Sequence, residues 1–153
     1  MDARSFYEQP GILTKADPKA RSRLIGDIAT ILLASDIHRL YSINDIGALF
    51  FPPIHLNQFK IYRMLNRPVG VVTWALLSAD VDGKYAAGQY RLRPHDWNGG
   101  DHGWIIDFAA PFGHAAPILK DLRNNVFRGR TGKALRLNPR RGVKQIIALK
   151  GIA

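Results

Sequence analysis

After Pro18, apolar positions recur at helical spacing. Leu24, Ile25, Ile28, Ala29, Leu32 and Leu33 share one face, with Arg21, Arg23 and Asp27 off it. That spacing predicts a helix from Pro18 ending near Ala34-Ser35. Ser42–Phe51 is apolar enough for a second short helix, stopped by Pro52-Pro53, because proline lacks an N–H and its ring clashes with the preceding turn. Gln58–Leu65 mixes Phe59, Tyr62 and Met64 with Lys60 and Arg63, as a strand with one half-solvated face would. Asn66-Arg67-Pro68 supplies a turn, and Val69–Leu77 follows with almost no polar residue, as a central strand buried on both faces. The two strands read as a hairpin.

Further along, Ala79–Gly88 reads as a short helix, His95–Gly103 as a polar loop, and Trp104–Ala110 as a third, largely apolar strand. Ala115–Val126 has helical spacing through Ile118, Leu119, Leu122 and Val126, and Lys133–Leu137 and Val143–Leu149 read as two last strands. Helices and strands in this order predict an α/β (α+β) fold, a single three-layer domain with a mixed central sheet flanked by helices. Residues 1–17, broken by Pro10-Gly11 and Asp17-Pro18, read as an N-terminal arm, leaving 18–153 as the domain.

Composition narrows the class. A chain of 153 residues with 46% apolar and 22% charged residues suits one soluble domain with a real core. The longest uncharged apolar stretches, Ile46–Leu56 and Val69–Ala79, are 11 residues each, against the roughly 20 that a spanning helix needs. The first residues lack the basic-then-apolar pattern of a signal peptide, so a cytoplasmic protein is expected. Cysteine is absent, which excludes disulfides, thiolate metal sites and a cysteine nucleophile.

The net charge of +10 is concentrated at one end. Lys and Arg balance Asp and Glu over residues 1–50, six against six, and nearly so over 51–110, six against five. Residues 111–153 carry ten against the single Asp121. Such a block suggests an anionic partner (nucleic acid, a membrane surface or an acidic protein) or a merely solvated face.

The candidate chemistry begins at Asp107. It is the one ionisable group in Trp-Ile-Ile-Asp-Phe-Ala-Ala, sharing a strand face with Ile105 and Ala109. An unpartnered buried carboxylate costs several kcal/mol, so Asp107 either holds an arginine or a loop, or orients a catalytic His or Lys. His38 follows the first helix in Ser-Asp-Ile-His-Arg. It is either a helix-end histidine interacting with the dipole or a proton acceptor at cellular pH. Nothing local ties it to Asp107. His95, Asp96, Asp101 and His102 lie close together, yet their spacing fits no metal-site template, and no metal is expected. There is no G-x-S-x-G, Walker loop or G-x-G-x-x-G. The segment after the Trp104 strand reads Pro-Phe-Gly-His-Ala-Ala-Pro, without the glycine-rich cradle that a CoA pyrophosphate uses.

Four runs in register carry a resemblance: S-D-I-H-R-L-Y (Ser35–Tyr41), L-N-Q-F (Leu56–Phe59), R-P-V-G-V-V-T-W-A-L-L-S (Arg67–Ser78) and G-W-I-I-D-F-A-A-P-F-G (Gly103–Gly113). Over roughly residues 30–138 the chain resembles the RTX toxin-activating lysine acyltransferases, which transfer fatty acyl chains to internal lysines of a protoxin. The resemblance implies a GNAT-like fold, an acyl-acyl carrier protein as donor with no separate cofactor, an RTX protoxin as acceptor, and a cytoplasmic enzyme. It places the family's essential His on His38 and its essential Asp on Asp107. Ser35 and Arg39, in the same motif, become supporting or substrate-positioning candidates. The family's usual proline is replaced by Asp36. A homodimer and peripheral contact with anionic membrane are compatible with it, and no nucleic acid is expected.

On this reading His38 is a general base oriented by Asp107, or a nucleophile that carries the acyl group in a ping-pong reaction. Two other classes compete. One is a GNAT-like N-acyltransferase using acyl-CoA, and the other a nucleic-acid-binding module built on the basic third. Against the latter, that region offers only Phe112 and Phe127 for base stacking and matches no docking motif.

Overall fold

In the computed structural model, which describes residues 17–137 and 144–153, Asp17 caps the first helix by accepting the backbone N–H groups of Lys19 and Ala20. Pro18 stands in the first turn, where its missing N–H is not needed. The rest of the expected arm lies outside the described residues. Helix α1 spans Pro18–Leu33 and buries Leu24, Ile28, Ile31 and Leu32. Leu33, expected on the inner face, is exposed, and Ile31 takes its place.

Helix α2 (Ile43–His55) begins with a capping box between Ser42 and Asp45. It runs through Pro52 and Pro53 instead of stopping before them. The prolines sit in the last turn, where their fixed φ suits the helix and their carbonyls still accept the N–H groups of Leu56 and Gln58.

Strands β1 (Phe59–Met64) and β2 (Arg67–Leu77) form the expected antiparallel hairpin. The turn is Leu65-Asn66, one residue earlier than the sequence suggests, and both residues have positive φ, 48° and 64°. Such a pair gives a two-residue turn whose twist matches the flanking strands. Pro68 is thereby drawn into β2, where the register shifts beside Tyr62 and Arg63; an irregularity of this kind tolerates a proline. The half-solvated face expected of β1 is also absent, since Lys60 is buried along with Phe59, Ile61 and Tyr62.

Helix α3 (Ala79–Ala86) and β3 (His102–Ala109) follow. The polar loop between them contains a 3-10 turn, Pro94–Asp96. It is zipped to the end of β2 by bonds from Leu76 N–H to Trp97 and from Gly99 and Gly100 N–H to the Leu76 carbonyl. Gly100 passes so close to Leu77 and Ser78 that a β-carbon there would strike backbone. Helix α4 (Ala115–Asp121) ends five residues before the sequence pattern does and opens into a π turn, Leu122–Val126. The wider turn is closed by Phe127 N–H on the Leu122 carbonyl, with both side chains buried.

Strands β4 (Thr131–Leu137) and β5 (Lys144–Lys150) are antiparallel, and β3 pairs with β4 in parallel. The sheet order is β1-β2-β3-β4-β5, a mixed sheet in an α/β (α+β) chain as expected. The chain forms two compact units, one reaching to Thr73 with Asp107–Ile118, the other Trp74–Ile106 with Leu119–Ala153. In the first, α1 packs with Phe50, Phe59, Ile61, Val71 and Ala109. In the second, Leu77, Trp97, Trp104, Leu122 and Phe127 are buried. Among the described residues no helix is long and apolar enough to cross a membrane.

Candidate active site

The first unit contains the site. After α1 ends, Ser35 N–H bonds the Leu32 carbonyl, Arg39 N–H bonds the Ser35 carbonyl, and His38 opens a single 3-10 turn, His38–Leu40. Tyr41 N–H closes that turn on the His38 carbonyl, and the capped start of α2 follows at once. The histidine is thus held between two helix ends and is only 8% exposed.

Ser35 Oγ lies 2.7 Å from His38 Nδ1, and the His38 backbone N–H approaches the same Oγ at 3.4 Å. On the other side of the ring, Nε2 is 3.5 Å from Asp107 Oδ1. Asp107 comes from β3, is 3% exposed, and donates its backbone N–H to Thr73 Oγ1 of β2 at 3.1 Å. The Tyr41 hydroxyl donates to Asp107 Oδ1 at 2.6 Å, and the Tyr41 ring meets the His38 ring edge-on at 5.3 Å. Asp107 Oδ2 is buried and accepts no hydrogen bond from the described residues.

The structure therefore brings Ser35, His38 and Asp107 into one line. Arg39 is not part of it: its side chain is exposed and lies 3.7 Å from Asp36. Tyr41 and Thr73 were not singled out by the sequence reading. Thr73 had a signal, being the one hydroxyl in an apolar strand. Tyr41 had none of its own, because its partner is 66 positions away.

The ring's proton can be placed by chemistry. Nε2 faces a carboxylate, and a lone pair there would meet negative charge, so Nε2 carries the hydrogen. Nδ1 is then the basic nitrogen, and it accepts the Ser35 hydroxyl proton. Asp107 holds this tautomer and is placed to stabilise an imidazolium, as the carboxylate of a Ser-His-Asp triad does. The 3.5 Å contact is longer than a charge-assisted bond of ~2.7–2.9 Å; such contacts commonly tighten only with substrate present.

Outside this line, the polar histidines lie beside acids: His95 is 3.4 Å from Asp96, and His102 is 3.7 Å from each of Asp101 and Asp82. Among the described residues no group of three or more His, Asp or Glu side chains is placed to hold a metal ion.

A buried Ser-His-Asp line is chemically able to relay a proton, and comparison with known proteins gives the class. Over residues 17–149 the chain matches the RTX toxin acyltransferase family, HlyC, and it belongs to that family. Its relatives include an uncharacterised protein of Synechocystis sp., 34% identical over 76% of this chain and 80% of the relative. The RTX-II toxin-activating lysine-acyltransferase ApxIIC of Actinobacillus pleuropneumoniae is 32% identical over 84% and 80%. The protein-lysine myristoyltransferase HlyC of Escherichia coli is 29% identical over 84% and 73%.

Proposed function

We propose that this protein is a cytoplasmic protein-lysine acyltransferase that moves a fatty acyl chain from acyl-acyl carrier protein to internal lysines of an RTX protoxin. The observation that carries the reading is the Ser35–His38–Asp107 line, in a chain whose relatives are named for lysine acyl transfer. The same membership favours an enzyme over a nucleic-acid-binding module. Arg123, Arg128, Arg130 and Arg136 are exposed in the basic third, a surface suited to steering an acidic donor protein. Arg140 and Arg141 lie outside the described residues.

A lysine amine with pKa ~10.4 is neutral in about 1 molecule in 2,500 at pH 7, a handicap of ~4.6 kcal/mol. The site answers it with a proton acceptor. As the amine attacks the thioester carbonyl, the C–N bond forms and the C–S bond breaks. The amine's proton passes through the Ser35 hydroxyl to His38 Nδ1, Asp107 stabilises the imidazolium, and the proton then leaves with the thiolate as thiol. Both ring nitrogens of His38 are engaged, by Ser35 and by Asp107, which favours this base role over that of an acyl-carrying nucleophile.

The test is intact-mass analysis of an RTX protoxin fragment incubated with this enzyme and acyl-acyl carrier protein, beside an acyl-CoA arm. Wild type should add a fatty acyl mass on lysine with the carrier-protein donor. Folded His38→Ala should lose about 10²–10⁴-fold in rate. Transfer with acyl-CoA alone would overturn the donor, and undiminished activity in His38→Ala would overturn the mechanism.

A further inference from the structure

Two donors are aimed at one carboxylate oxygen. The Tyr41 hydroxyl is 2.6 Å from Asp107 Oδ1, full hydrogen-bond distance, while His38 Nε2 stands off at 3.5 Å. Oδ2 gives no relief, since no described group bonds it. Tyr41 also touches the imidazole through its ring edge and packs against the apolar core of the first unit. It is therefore fixed on three sides, and it contacts both His38 and Asp107.

We infer that Tyr41 is a positioning residue that fixes the Asp107 carboxylate through Oδ1 and tempers its pull on the His38 imidazolium. A hydroxyl donating to a carboxylate spreads its negative charge and lowers its proton affinity. The imidazolium then gains less from Asp107 than it would from an unshared carboxylate. Among the described residues, Asp107 from β3 and Tyr41 itself are titratable groups in contact with the ring. Thr73 from β2 is uncharged, and Asp36 and Arg39, on the histidine's own turn, are exposed and paired with each other.

The inference rests on the catalytic reading of this site, so its test has an arm that needs no turnover. Tyr41→Phe keeps the ring edge and removes only the hydroxyl. His38 would be titrated by NMR in the full chain as wild type, Tyr41→Phe, Asp107→Asn and the double variant. In parallel, acyl transfer by wild type and Tyr41→Phe would be followed across pH. Tyr41→Phe should raise the His38 midpoint, and the acid limb of kcat/KM with it, by about 0.5–1 pH unit. It should lower kcat near neutral pH about 5–20-fold with donor KM unchanged. In the Asp107→Asn background the same substitution should shift nothing.

Site-specific fluorination of the Tyr41 ring, which makes the phenol a stronger donor, should move the midpoint the opposite way and needs no residue removed. Equal midpoints in wild type and Tyr41→Phe, or a shift that survives Asp107→Asn, would overturn the inference. If wild type transferred no acyl group at all, the proposed function would fall while the titration still decided the role of Tyr41.

Discussion

Ser35 is the residue whose role the geometry changes most. A serine three positions before a histidine serves as a turn cap, and the long 3.4 Å contact from His38 N–H is consistent with that. The 2.7 Å contact to Nδ1 is the stronger one, and it sets the hydroxyl on the basic nitrogen. Ser35→Ala should therefore lower kcat about 10–100-fold without changing acceptor KM. Ser35→Thr, which keeps the hydroxyl, should retain much of the rate, and steady-state kinetics of folded variants check both. A pure cap would give a loss of stability with kcat untouched. Of the site, Asp107 was legible in the sequence because a carboxylate inside an apolar strand demands a partner. Which partner it has was not legible, since that depends on chain segments dozens of positions apart.

The hairpin shows what local pattern misses at the scale of an element. Asn66-Arg67-Pro68 advertised a turn, but the tight two-residue connection takes Leu65-Asn66 and puts a bulky leucine at φ 48°, 94% exposed. A left-handed leucine is strained by about 1 kcal/mol, and asparagine tolerates the conformation. Leu65→Asn should accordingly raise unfolding stability by about 0.5–1 kcal/mol, read as a higher denaturant midpoint at unchanged slope. The prolines of α2 and the π turn after α4 went unforeseen for a related reason. Periodicity marks which face is apolar, and it does not say whether a last turn stays α-helical once its side chains have packed.

For the molecule as a whole, two buried or half-buried acids contribute to behaviour in acid. Burial pushes Asp82 up, but hydrogen bonds from Lys133 and Trp104 outweigh it and hold the carboxyl below its usual range. Asp96 is likewise raised by burial, and the Arg93 N–H and the Tyr90 hydroxyl outweigh this and hold it below its usual range. A depressed folded pKa means that the unfolded chain binds protons more readily, so stability rises with pH through this range. The contribution is complete above the unfolded value of ~3.9 and is lost as pH falls through the depressed folded value. Denaturant midpoints should fall as pH drops below about 4, and Asp82→Asn, less stable than wild type at pH 6, should approach it as pH falls. The order of the elements was readable throughout, whereas the parallel β3–β4 pairing and the Asp82 cluster were not, because both join distant segments. The same contrast has a kinetic side in the candidate site. Ser35 and His38 are 3 positions apart and meet within one turn, a closure of well under a microsecond. Tyr41 meets Asp107 across 66 positions, and contacts of that span form only as the sheet assembles. During refolding the serine and histidine are in place early, but the Ser35–His38–Asp107 line is complete only when β3 docks. Regained activity would thus time the docking of that strand and not the first collapse of the chain.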